Sequence, residues 1–203
     1  MTSFASIRDP QTDTLLTPQN CAIVIIDYQP VQVASIASMD RRLLVANIVA
    51  LARIARLYGV PVVLSSVNVA SGRNQPTIHQ ITDVLDRAVV LDRTSINAWE
   101  DEQFVAAVKA TRRRKLIMAA LWTEVCLAFP ALDAMQSGFE VYPVIDAVGG
   151  TSLEAHRAGL ERIVQAGAQP VSWIQVACEL QRDWNRSEST AGFSDIVFAA
   201  VGH

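Results

Sequence analysis

Residues 115–130 read KLIMAALWTEVCLAFP, and the fold turns on how that run divides. Residues 116–121 are an unbroken apolar run of strand length, as in a strand covered on both faces. Residues 124–137 have helical length and are closed by Gly138. A strand passing within a few residues into a helix is half of a β–α unit. Thr123 fits the N-cap between the two and would leave Cys126 in the first turn, where backbone N–H groups lack internal partners and the dipole favours an anion. Thiol pKa values fall from about 8.5 to roughly 3.5–7.5 in such places, so Cys126 is a candidate nucleophile. The same N–H groups are candidates for holding an oxyanion. A packed, inert cysteine is the alternative, since cysteine is among the most buried residue types. Pro130 lacks the N–H that would bond the Cys126 carbonyl, which predicts a kinked or irregular first turn.

The same grammar repeats on both sides. Residues 21–26, CAIVII, form a β-branched run that stops at Asp27 and read as a central parallel strand. Residues 40–58 carry Leu44, Ile48, Leu51, Ala55 and Tyr58 at helical spacing, with Gly59 past the end and Pro61 soon after. Strands are predicted at 60–67, 88–91, 139–145 and 170–173, and helices at 77–85, 99–111, 152–166 and 174–184. Either Thr151 or Ser152 caps the helix that Gly167 closes. The loop VASGRNQP, residues 69–76, is predicted to form part of a pocket rim. This alternation gives an α/β fold of three layers, a mainly parallel six-stranded sheet with helices on both faces.

Bulk properties narrow the function classes. With 203 residues and 51% hydrophobic content, the expectation is one domain over residues 1–203, with a polar lead at 1–16 and a tail at 186–203 that packs on this subunit or a neighbour. A net charge of −3 leaves no basic footprint for nucleic acid, and the run Arg112 to Lys115 reads as a solvated turn. Three widely spaced cysteines, Cys21, Cys126 and Cys178, are no disulfide framework and fit the cytoplasm. Neither a signal peptide nor a membrane span is readable, so no membrane partner is expected. The low charged fraction, 18%, agrees with surface buried between subunits.

Asp27, Arg93 and Cys126 all fall at or just beyond ends of strands that point the same way in a parallel sheet, so they are expected to converge. A thiol, a carboxylate to exchange its proton and a cation to set the local field make an acyl-transfer site. Asp92 lies next to Arg93, which leaves the register of the basic member open by a residue.

The blocks TPQNCAIVIIDYQP (17–30), INAWEDEQFVAAVKAT (96–111), LWTEVCLAFPALDA (121–134), GFEVYPVIDA (138–147) and AGAQPVSWIQVACELQRDW (166–184) resemble the isochorismatase-like cysteine hydrolases, within them the YcaC-like branch. The resemblance implies a catalytic Asp27, Arg93 and Cys126, with Arg93 where the family typically has lysine. Arginine cannot give up a proton, so it only orients and stabilises. The resemblance further implies a cis peptide at Leu121–Trp122 and an oxyanion hole from the N–H groups of Trp122 and Cys126. Trp122, Asn97 and Thr123 are expected to bind substrate, with Trp122 narrowing the pocket. It also implies a small-molecule substrate, no cofactor, and a ring-like homo-oligomer, an octamer of two stacked tetramers.

Metal-dependent relatives such as nicotinamidases carry an Asp-x-His pair where this chain has Ser66, Val67 and Asn68. The histidines, His79, His156 and His203, are not at ligand spacing. No metal is therefore expected, and His156 reads as a satisfied core or interface residue. The leading expectation is a hydrolase that cleaves a C–N amide or related bond through a Cys126 thioester. Two alternatives stand: an isochorismatase-type vinyl-ether hydrolysis without covalent catalysis, and a non-catalytic ligand-binding or assembly protein. A nucleotide-binding module is disfavoured, because Gly149–Gly150 is no G-x-G-x-x-G motif.

Overall fold

The computed structural model describes residues 8–201. Five strands, β1 (Cys21–Ile26), β2 (Val62–Val67), β3 (Val90–Arg93), β4 (Lys115–Ala120) and β5 (Glu140–Pro143), pair in the order β3-β2-β1-β4-β5. Every pairing is parallel. The chain leaves the centre toward β3, then returns to place β4 on the other side of β1, so the order reverses between β1 and β4. Ligands in open parallel sheets bind beyond the carboxyl ends at such a switch point. Those two ends carry Asp27 and the turn with Cys126.

β1 and β4 are buried along their whole length, which is why their sequences are continuous apolar runs without alternation. The helices are α1 (Pro30–Ser35), α2 (Arg41–Tyr58), α3 (His79–Thr82), α4 (Glu102–Ala110), α5 (Ala128–Gln136), α6 (Leu153–Gln165), α7 (Trp173–Gln181) and α8 (Ser187–Val201). α2 obeys its sequence signals at both ends. The Asp40 carboxylate accepts the Leu43 N–H at 2.9 Å, and Gly59, at φ 63°, turns the chain in the left-handed conformation that glycine tolerates. Its predicted inner stripe, Leu44, Ile48, Leu51, Ala55 and Tyr58, is buried. Ser152 rather than Thr151 caps α6, accepting the Ala155 N–H at 3.0 Å.

Two expectations are corrected. The sixth strand at 170–173 shrinks to a single bridge, Val144 to Val171: Pro170 has no N–H to extend a ladder, and α7 begins at Trp173. Lys115, expected in a solvated turn, is instead buried as the first residue of β4. Its ammonium donates to the carbonyls of Asp13, Thr14 and Leu15 at 2.7, 3.0 and 3.1 Å. A buried ammonium needs that many partners to offset its lost hydration. With Arg182, which donates to the Asp13 carboxylate at 2.8 Å, it straps the lead segment against the body.

The C-terminal segment forms α8, which packs on α2 of the same chain and buries Phe193, Ile196 and Val197. Trp184 and Phe198 remain largely exposed. The expectations for residues 1–7 of the lead and for His203 fall outside the described residues. No helix among the described residues is long and apolar enough to cross a membrane.

Cys21 supplies a test of the core. Its thiol, fully buried in β1, donates to the Thr17 carbonyl at 3.0 Å, and burial pushes its pKa up from 9.0 to about 12. The folded chain therefore holds this proton over a range in which the unfolded chain has lost it. The associated stability is complete below about pH 9 and is lost as pH rises toward 12, by up to about 1.4 kcal/mol per pH unit. Denaturant unfolding at pH 8 to 10.5 should show stability falling less steeply in Cys21→Ala than in the parent; parallel slopes would contradict this account.

Candidate active site at the carboxyl ends of the strands

Asp27 follows β1 directly and is fully buried. Its backbone, at φ 62°, lies in the left-handed region, a conformation that costs a non-glycine residue on the order of 1–3 kcal/mol and persists only where the surroundings hold it. Here they do. The Asp27 N–H donates to the Ser65 carbonyl at 2.9 Å, and its own carbonyl accepts from the Gln29 N–H at 2.8 Å. The carboxylate meets Arg93, the last residue of β3, with Nη1 on Oδ1 and Nη2 on Oδ2, both at 2.7 Å. Asp27 and Arg93 side chains are 0% and 1% exposed, so this two-pronged pair is dry.

Arg93 is held from four sides. Nη1 also donates to Ser65 Oγ and the Ser66 carbonyl, each at 3.1 Å, and Nη2 to the Ile96 carbonyl at 3.3 Å. Burial works against its charge, but the bonds and charge of Asp27 outweigh that and raise its pKa above the usual value. The open register is thereby decided: Arg93, not Asp92, faces Asp27. Asp92 points elsewhere and anchors the loop after β2, accepting from Ser66 Oγ and from the N–H groups of Val69 and Ala70 at 3.1, 3.0 and 2.8 Å.

Cys126 arrives from β4. The chain passes a cis peptide at Leu121–Trp122 and enters a π-helical turn, Thr123–Leu127, before α5. The Leu127 N–H donates five residues back, to the Trp122 carbonyl, at 3.1 Å. This is the irregular first turn that Pro130 predicted. Cys126, 8% exposed, lies close enough to the Asp27 carboxylate, the Arg93 guanidinium and the Trp122 backbone N–H for all three to act on its proton. The three residues expected to converge do so.

The electrostatics differ from the sequence expectation. A helix start alone would lower the thiol pKa. Burial, then the charge and bond of Asp27, push it up to about 12, and the Trp122 N–H and Arg93 offset this only in part. At neutral pH, Cys126 is a thiol beside a carboxylate, not a free thiolate.

The remaining expected residues sit close by, with their polar atoms already bonded inside the protein. Thr123 is not the N-cap. Its hydroxyl is paired with His156 Nδ1 at 2.9 Å, its N–H donates to the Gly149 carbonyl at 2.9 Å, and it is fully buried. Asn97 donates to Asp133 Oδ2 at 2.7 Å and accepts the Trp99 N–H at 3.0 Å. The half-buried Trp122 donates its indole N–H to Ser35 Oγ, the last residue of α1, at 2.6 Å. Ser65, Ser35, Glu124 and His156 were missed as site support. Only the position of Ser65, two residues from the end of β2 and paired with Ile26, gave any sequence signal. Among the described residues, no three His, Cys, Asp or Glu side chains gather as a metal-binding cluster.

Comparison with known proteins gives this geometry a lineage. The isochorismatase domain model matches residues 21–175. The chain is 36% identical over 170 residues to the protein of Escherichia coli K12 named "Probable hydrolase YcaC", covering 83% of this chain and 81% of that one. The solved structure of YcaC from Pseudomonas aeruginosa, bearing hexane-2,5-diol and covalent acrylamide, superposes with a TM-score of 0.89 at 34% identity over 94% of each chain. That of E. coli YcaC, described as an octameric hydrolase of unknown specificity, superposes with a TM-score of 0.86 at 34% identity over 93% and 91%. The shared sheet, the matched domain and the identity across most of both chains place this protein in the isochorismatase family.

Proposed function

We propose that the protein is a cysteine-dependent hydrolase that cleaves a C–N amide or related bond of a small molecule through a thioester on Cys126. The observation that carries this reading is a buried thiol, Cys126, beside a buried carboxylate whose two oxygens are each gripped by the Arg93 guanidinium at 2.7 Å. A resting thiol with a raised pKa needs a base at the moment of attack, and Asp27 is the base within reach.

In the proposed cycle, Asp27 takes the thiol proton as Sγ bonds to the substrate carbonyl carbon. The oxyanion is held by the N–H groups of Trp122 and Cys126, and the Thr123 N–H is committed to Gly149. Asp27 returns the proton to the nitrogen as the C–N bond breaks, leaving a thioester and a free amine. Water, giving its proton to Asp27, then attacks the thioester. Sγ leaves with that proton, and a carboxylic acid is released. Arg93 stays charged throughout and keeps the carboxylate in place between steps.

The acrylamide adduct in the P. aeruginosa relative supports a reactive nucleophile in this branch. By the same kinship the protein is proposed to form a homo-oligomer, as the octameric E. coli relative does, and exposed Leu43, Val89, Trp184 and Phe198 offer apolar surface for it. The three free thiols fit a reducing, cytoplasmic setting.

In an amide and ester screen, Cys126→Ala should abolish turnover with the fold retained. Asp27→Asn should lower it by roughly 10²–10⁴. Turnover that survives Cys126→Ala while a substrate analogue leaves no adduct would favour the vinyl-ether reading.

The raised thiol pKa gives a second, sharper test. Alkylation of Cys126, followed by peptide mass spectrometry with Cys21 and Cys178 as internal references, should still be climbing with pH above 9 in the parent protein. Asp27→Asn removes the charge that raises the pKa and leaves Arg93 unopposed, so its alkylation curve should move to lower pH even as turnover is lost. Losing one partner of a buried pair costs about 3–5 kcal/mol, so the assay is run well below the melting point of the variant. A parent curve that levels off below pH 7 would contradict the thiol–carboxylate ground state.

A further inference from the structure

Helix α6 touches the turn that carries Cys126 more closely than helices ordinarily approach a backbone. A Cβ on Gly159 would lie 2.8 Å from Glu124 Cα, 3.0 Å from its N and 3.1 Å from the Thr123 carbonyl carbon, so only glycine allows the contact. A Cβ on Gly150, just before α6, would lie 2.5 Å from Glu124 Oε2 and 2.9 Å from His156. Two side-chain contacts fasten what these glycines let approach. Glu124 Oε1 accepts from Thr151 N–H at 3.0 Å and Thr151 Oγ1 at 2.7 Å, and Thr123 Oγ1 pairs with His156 Nδ1 at 2.9 Å. His156 precedes Gly159 by three residues and so shares its helix face.

We propose that His156 is a positioning residue for the nucleophile: through Nδ1 and the Thr123 hydroxyl, it fixes the π-helical turn against α6 and thereby holds Cys126 in bonding register with Asp27. The turn needs such a brace. Its i−5 bonding is rare outside sites where the surroundings enforce it, and its first residue has no cap of its own. A sulfur displaced by about 1 Å loses its carboxylate, which is how a residue with no contact to substrate can govern reactivity. Burial lowers the pKa of His156, with the nearby Arg157 charge acting in the same direction and Glu124 opposing, so the ring is neutral at pH 7.5 and above.

The geometry of the contact supplies a stringent test. An asparagine amide can occupy the place of imidazole Nδ1, one bond beyond Cγ, whereas a glutamine amide reaches the place of Nε2. This inference rests on Cys126 as the reactive thiol, so two readouts are needed, both on the full chain at pH 9. The first is the rate of Cys126 capture by acrylamide relative to Cys178. The second is amide hydrogen exchange in the peptide spanning 121–130.

His156→Ala, His156→Gln and Thr123→Val should each slow capture roughly ten- to a hundredfold and speed exchange. His156→Asn and Thr123→Ser should restore both, and the Ala/Val double variant should be no worse than either single change. A purely structural role predicts that Asn and Gln fare alike. If exchange and capture are unchanged in His156→Ala, or if Asn and Gln are indistinguishable, the proposal is overturned. If the parent itself is not captured while exchange follows the predicted order, the bracing role of His156 stands and the reading of Cys126 as the nucleophile falls.

Discussion

The dry ion pair between Asp27 and Arg93 is the interaction on which the site depends. A carboxylate and a guanidinium taken out of water each lose several kcal/mol of hydration, regained only when the geometry is near ideal and the spare donors are satisfied. Both oxygens of Asp27 and both terminal nitrogens of Arg93 are engaged, and Ser65, Ser66 and Ile96 take three further guanidinium bonds, which leaves only the buried Nε of Arg93 without a partner. The pair spans from the end of β1 to the end of β3 across β2. It thus ties the left-handed Asp27 backbone to the sheet edge and fixes where a proton acceptor stands.

That fixed charge decides the state of Cys126. A helix start, a guanidinium and a backbone N–H all favour thiolate, while burial and an adjacent carboxylate favour thiol. The second set wins, because desolvation acts on the charged sulfur directly and the Asp27 charge stands beside it. In the proposed mechanism, Cys126 would stay protonated until substrate arrives, and the carboxylate, rather than the helix dipole, would be the activating group. Arginine in the basic position fits: no proton need pass through it, and its planar fork holds a carboxylate better than an ammonium would.

The outer support is built from small residues. Glycines at 150 and 159 let α6 lie on the backbone of the turn that carries Cys126, and Ser35 anchors the indole of Trp122. Polar atoms of Thr123 and Asn97, which by residue type invite a substrate contact, are spent inside this scaffold. The chemistry at the sheet edge thus rests on helices brought unusually near rather than on the loops alone.

Much of this was legible in the sequence, because the signals involved are local. Continuous apolar runs at 21–26 and 116–121 can satisfy only a doubly covered parallel sheet, Asp40 and Gly59 bracket their helix by backbone chemistry, and Pro130 dictates an irregular turn beginning three residues after the end of β4. Strand ends in a parallel sheet share one edge, so Asp27, Arg93 and Cys126 were bound to be neighbours once the strands were placed. What the sequence could not decide depends on distances between segments far apart in the chain. The burial of Lys115 requires the lead segment to fold over β4, and the demotion of residues 170–173 to one bridge requires knowing where β5 stops. The protonation of Cys126 follows from its burial and from the Asp27 charge beside it, and the bracing role proposed for His156 from the close approach of α6. A residue's type and neighbours in sequence fix its conformational preferences, but its dielectric surroundings and bonding partners exist only after the chain has folded.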